Sequence, residues 1–176
     1  IRGTMPYLPK KVSIRDITFR EGDDCIGLRI SVPDKVKMAA YAAEMGIEEM
    51  DTGGPSLHPH QFALSRAVKD AGIPIRLTGR FFANSLTTDF HYDIDKNIEA
   101  GSDNLRIICN YLGEETIKEQ VAKLPAMIEY ATECGLEVCV GMSDIVRAPM
   151  HLIDLVYDSA LAAGAKKLGV FDTFGT

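Results

Sequence analysis

Glu99-Ala-Gly-Ser-Asp-Asn-Leu-Arg-Ile-Ile-Cys109 passes from the end of an amphipathic run, through a glycine, into an apolar run of strand length. The same junction recurs at Glu44-Met-Gly46, Asp70-Ala-Gly72, Glu133-Cys-Gly135 and Ala162-Ala-Gly164. Glycine just past a helix end supplies a left-handed backbone at no steric cost. The glycines recur about every 30 residues, the length of one helix, one strand and two short loops. The pattern predicts strands at Val12–Asp16, Glu49–Thr52, Ile75–Thr78, Leu105–Cys109, Glu137–Gly141 and Lys167–Phe171. Helices are expected at Pro33–Met45, His58–Ala71, Tyr92–Ala100, Glu115–Glu133 and Met150–Ala163. Ser31, followed three positions later by Asp34, marks the start of the first of these. The strands read as brief and apolar, as when both faces of a sheet are covered.

Strict alternation of strand and helix means a parallel sheet with right-handed crossovers, an α/β protein. Two architectures compete, an open doubly wound sheet and a closed (β/α)8 TIM barrel. No Gly-x-Gly-x-x-Gly follows the first strand, which lowers a dinucleotide-binding open sheet and an oxidoreductase with it. A barrel needs eight strands and about 250 residues. The sequence has 176 residues, opens on Ile1 rather than Met, and stops directly after a strand. The expectation is a single β/α-barrel domain over 1–176, about six β/α units, truncated before strands seven and eight.

Composition narrows the function. Net charge is −6, which disfavours nucleic acid as a partner but permits a small anionic substrate held by local arginines. No apolar run is long enough to span a membrane, and no signal pattern opens the chain. Cys25, Cys109, Cys134 and Cys139 form no C-x-x-C pair. Cys109 and Cys139 sit in apolar runs and read as buried free thiols, consistent with a reducing, cytoplasmic setting. His58-Pro-His60 opens a helix, where positions two apart share no face, and reads as an exposed helix start rather than a zinc pair.

In either architecture the chemistry lies at the carboxyl ends of the strands. Those ends offer Asp16, Arg20 and Glu21; Asp51 and Thr52; Thr78 and Arg80; Asn110 and Tyr111; Ser143, Asp144 and Arg147; Asp172 and Thr173. Carboxylate oxygens suit a hard divalent cation. Arg20, Arg80 and Arg147 suit the forked recognition of a carboxylate. Gly22 reads as a sharp turn closing the first of these stretches. Taken singly, each residue also fits an ion pair or a cap; Asp144 reads equally as the cap of the fifth helix, and Asp172-Thr173 as the cap of a following one.

Asp16-Ile-Thr-Phe-Arg-Glu-Gly22 resembles the D-T-T-L-R-[DE]-G signature of the metal-dependent barrel family that contains 2-isopropylmalate synthase, homocitrate synthase and hydroxymethylglutaryl-CoA lyase, with the carboxyltransferase domain of pyruvate carboxylase as a more distant relative. Gly46 to Pro55 resembles the family's G-x-x-x-I-E-x-G-x-P, and Asp172-Thr-Phe-Gly175 its D-T-x-G. The resemblance implies one divalent metal ion (Mg, Mn or Zn) ligated by Glu21, with the remaining ligands on a His-x-His beyond Thr176. It implies that Arg20 stabilises enolate charge, that Asp51 and Thr173 act in the active site, and that Arg80 and Thr173 contact substrate; Arg147 is expected as a further substrate contact from its place at a strand end. The substrates implied are a small-molecule acid and an acyl-CoA, joined by condensation. A homo-oligomer is expected separately, because six strands alone would leave two open sheet edges. Cleavage of the lyase or aldolase kind, or a non-catalytic relative that binds a small acid, stays open. Ser143 stands where the family often carries a Glu, which leaves the particular reaction undecided.

Overall fold

The computed structural model describes residues 11–84 and 89–175. Six parallel strands lie side by side in sequence order: β1 (Arg15–Asp16), β2 (Glu49–Gly53), β3 (Arg76–Phe82), β4 (Asn104–Asn110), β5 (Glu137–Ser143) and β6 (Lys167–Phe171). The helices are α1 (Thr18–Asp23), α2 (Val32–Glu44), α3 (Pro59–Asp70), α4 (Phe90–Ala100), α5 (Glu114–Glu133) and α6 (Met150–Ala162). A parallel sheet whose neighbours follow the chain order, with helices between them, is a partial TIM barrel. The five junction glycines take φ between 66° and 96°; only glycine adopts that backbone freely. Ser31 caps α2, its hydroxyl accepting the Asp34 N–H at 3.3 Å.

Leu105, Ile107 and Cys109 on β4 point outward into an apolar layer with Val138, Val140 and Met142 of β5 and with Ile117, Leu124 and Ile128 of α5. A second layer joins Phe19 of α1, Ala39 and Ala42 of α2, Met50 and Leu77 of the sheet, and Leu64 and Val68 of α3. Alternate residues along a strand face opposite ways. The other face therefore turns inward, and it is not apolar: it carries Glu49, Asp51, Thr78, Asn104 and Arg106. The reading of both faces as apolar is corrected accordingly. Arg15 donates to Glu49 at 2.5 Å, the Thr78 hydroxyl donates to the same carboxylate, and Lys167 of β6 reaches Glu137 at 2.6 Å and Glu49 at 3.7 Å. Lys167 and Glu49 lie four strands apart in the sheet, so their approach requires the sheet to curl around a polar lumen.

Three other expectations change. The first strand is only Arg15–Asp16, because just those residues pair with Glu49 and Met50 of β2; Val12 and Ile14 are exposed. The stretch after it is the helix α1, and Gly22 lies within that helix rather than at a turn. β3 runs on to Phe82, which puts Arg80 inside a strand instead of beyond its end.

Candidate active site at the strand ends

Asp16 closes β1 by accepting the Thr18 N–H on its carboxylate at 2.6 Å, which starts α1. Phe19 anchors that helix in the apolar layer. Asp23 ties down its far end: it pairs with the buried Lys35 ammonium, meets His60 Nε2 at 3.1 Å and accepts from Gln61 Nε2 at 3.4 Å. Burial works against ionisation of Asp23, but Lys35, Gln61 and His60 outweigh it and hold the carboxyl below the usual carboxylate range. Gln61 also accepts the Gly54 N–H at 2.6 Å. One side chain thus joins the loop after β2 to the helix after β1.

This frame presents Arg20 and Glu21 side by side as an ion pair, with Asp24 3.5 Å from Arg20. Asp51 is held by the Gly53 N–H at 2.9 Å and by Arg106 of β4. Arg80 lies among them and stacks on Phe82 at 5.4 Å. Burial and the Arg20 guanidinium push the Arg80 pKa down; Asp51 partly offsets them and Arg106 adds to them. Among the described residues no carboxylate comes within ion-pair distance of Arg80. Among the described residues the buried Nε atoms of Arg20, Arg80 and Arg106 have no hydrogen-bond partner. Such unsatisfied donors are costly unless something accepts from them.

Arg147 and Thr173 form a second group. Arg147 makes a forked pair with Asp144, its Nε 2.8 and 2.7 Å from the two carboxylate oxygens, and stacks on Phe174 at 4.7 Å. Thr173 Oγ1 accepts the Asp144 N–H at 2.8 Å. Asp144 has φ 55° and ψ 35° and makes no side-chain cap, and the next α-helix starts only at Met150; the expectation that it caps that helix is overturned. Asp172 accepts the Gly175 N–H at 2.9 Å. Ser143 donates to Asn110 at 2.8 Å, and Asn110 donates to Asn84 at 3.0 Å, so three strand tips are joined along the rim.

Of the residues singled out in the sequence, Arg20, Glu21, Asp51 and Arg80 come together, while Arg147 and Thr173 gather around Asp144. Among the described residues no hydrogen bond or ion pair joins the two groups. Sequence reading missed Arg106 and Gln61. Arg106 left one trace, a charge inside an otherwise apolar strand. No three His, Cys, Asp or Glu side chains among the described residues are placed to hold a metal; Glu21 offers one hard oxygen ligand and no more. His58 and His60 are exposed, as expected of a helix start. Cys109 and Cys139 are buried free thiols, and burial pushes Cys109 up to about 12. No described helix is long and apolar enough to cross a membrane.

Fold and site together define a partial TIM barrel with a cluster of guanidinium groups formed by Arg20, Arg80 and Arg106. The family model described as HMGL-like matches residues 11–176, and the chain belongs to that family. It is similar to 2-isopropylmalate synthase of Sulfurisphaera tokodaii, 28% identical over 174 residues, covering 94% of this chain and 44% of that protein. It is similar also to homocitrate synthase subunit alpha of Clostridium pasteurianum, 28% identical over 172 residues, covering 93% of this chain and 61% of that protein. The chain thus spans about half the length of the curated relatives it matches. Among solved structures, tetrameric deoxyribose phosphate aldolase from Aeropyrum pernix superposes with a TM-score of 0.63 at 13% identity, over 93% of this chain and 64% of that one. At that identity the likeness is one of fold.

Proposed function

We propose that the rim binds a small 2-oxo acid and that the protein condenses it with an acyl-CoA through an enolate. The observation that carries this reading is Arg80, a half-buried guanidinium without a carboxylate partner, set between Arg20 and Arg106. A substrate carboxylate would supply the missing charge and accept from unsatisfied N–H groups. Arg20 beside it would stabilise the enolate oxygen as charge develops. Asp51, fixed by Arg106 and the Gly53 N–H, would orient Arg80. Thr173 and Arg147 would contact substrate from the β5–β6 side. The synthase names of the relatives agree with condensation.

Glu21 fits as one ligand of a divalent ion (Mg, Mn or Zn). The further ligands would come from beyond Thr176, since no three His, Cys, Asp or Glu side chains among the described residues are placed to hold a metal. When bound, such an ion supplies Lewis-acid polarisation of a carbonyl. The protein is further read as a cytoplasmic homo-oligomer.

The test is release of free CoA thiol from pairs of acyl-CoA and 2-oxo acid, with and without added Mg, Mn or Zn. Metal-dependent release from at least one pair is expected. If no pair releases thiol although a 2-oxo acid binds in calorimetry, the protein is a binder and the enzyme reading fails.

A further inference from the structure

One aromatic ring floors the lumen between β5 and β6. Gly141 and Gly169 are register partners on these strands, and Phe171 lies two residues beyond Gly169 on the same face. A methyl group on Gly141 would overlap the Phe171 ring, and one on Gly169 would stand 2.7 Å from it. Neither glycine is among those with positive φ, so they supply space rather than backbone freedom. The paired glycines make a slot, and the ring occupies it.

The slot adjoins the cationic cluster. The Arg106 guanidinium that pairs with Asp51 lies 5.2 Å from the centre of the Phe171 ring. Cys139, the register partner of Arg106, has its Sγ 3.5 Å from where a Gly169 Cβ would stand. The ring thus borders the guanidinium cluster on one side and reaches toward the buried thiol on the other.

We propose that Phe171 is the specificity-determining residue of the site: its ring, seated over Gly141 and Gly169, limits the length of the organic group on an acid whose carboxylate sits at Arg80. The proposal rests on reading the rim as an organic-acid site. With the ring present, a short side chain fills the space above it. Without the ring, the two glycines add no side chain of their own, and the pocket deepens toward Cys139.

The test uses the whole protein with Phe171→Ala and Phe171→Leu. Pyruvate and 2-oxohexanoate are titrated by calorimetry, and Cys139 labelling by methyl methanethiosulfonate is followed by peptide mass spectrometry. Wild type should prefer pyruvate. Phe171→Ala should shift the affinity ratio toward 2-oxohexanoate by about tenfold or more, the scale of discrimination that a hydrophobic pocket exerts on methylene groups. Phe171→Leu should fall between and serves if the alanine variant does not fold. Cys139 should be protected in wild type and labelled in Phe171→Ala, while the exposed Cys25 and Cys134 label equally in both. An unchanged affinity ratio overturns the specificity role, even with Cys139 labelled. Cys139 protected in both proteins overturns the floor itself. If neither acid binds wild type, the organic-acid reading falls and takes the proposal with it; the labelling result still reports the floor separately.

Discussion

Asp51 of β2 and Arg106 of β4 form an ion pair that reaches past β3, with only 1% and 8% of their side chains exposed. Removing two charges from water costs several kcal/mol per ion, and the pair recovers that only while both partners stand. Asp51→Asn or Arg106→Met alone should therefore cost about 3–5 kcal/mol of unfolding free energy, because each leaves one buried charge uncompensated. The double variant Asp51→Asn with Arg106→Met should lose clearly less than the sum of the two. Urea unfolding of the four proteins checks this; additive losses would show that the two side chains do not act as a pair.

Acid should loosen α1 through Asp23. Its folded-state pKa lies below the ordinary carboxyl value: burial raises it, but Lys35, with Gln61 and His60, lowers it by more. A carboxyl with a depressed folded pKa adds stability that is complete above its unfolded pKa of about 4 and is lost as pH falls through the lower folded value. Asp23→Asn should be less stable than wild type at neutral pH. The gap should narrow as pH falls below about 4, since wild type alone loses this contribution there. Chemical unfolding at a series of pH values measures it, and a gap that does not narrow on acidification would exclude Asp23 as the source.

The loop after β2 depends on Gly53, at φ 86°. A methyl group there would overlap Gln61 Oε1, the atom that accepts the Gly54 N–H. Gly53→Ala should cost about 2–4 kcal/mol, combining left-handed strain with a lost buried hydrogen bond. Gly27 has a similar φ of 83° and open space around it. Gly27→Ala should therefore cost only about 1–2 kcal/mol, the strain alone. Equal losses in the two variants would mean that the Gln61 bridge contributes nothing.

How much of this was legible in the sequence depended on whether the deciding contact is local. The glycine junctions and the Ser31 cap are local, and the helices and most strands follow from them to within a residue or two. The outward face of β4 is legible too, because Leu105, Ile107 and Cys109 alternate. The inward face is not: Arg106 meets an aspartate 55 residues away, and only the curl of the sheet brings them together. Arg80 was read as lying past its strand, but β3 runs on through Gly79 to Phe82. Gly79 makes room for Asn97 of α4, which a side chain there would overlap. α1 is too short to announce itself; Lys35 and Gln61 hold it from other helices. Of the site, Arg20, Glu21, Asp51 and Arg80 were visible as strand-end polar residues, whereas Arg106, which pairs with Asp51, was not.

Arg80 should be needed for anion binding and not for folding. Burial, Arg20 and Arg106 all work against its charge. A base whose folded pKa is depressed costs stability while it stays protonated. Arg80→Ala should consequently leave the urea midpoint unchanged or raise it, in contrast to Arg106→Met. The same variant should weaken pyruvate binding by about 10- to 150-fold, the equivalent of one charge-assisted hydrogen bond worth 1.5–3 kcal/mol. Arg80→Lys should recover only part of this, because an ammonium cannot make the forked contact. Wild-type affinity should also fall as salt is raised, and the Arg80→Ala residue of binding should respond less steeply. Calorimetry at two salt concentrations, beside urea unfolding, separates the outcomes: weaker binding with stability intact assigns Arg80 to the ligand, and lost stability with unaltered affinity would make it a structural residue.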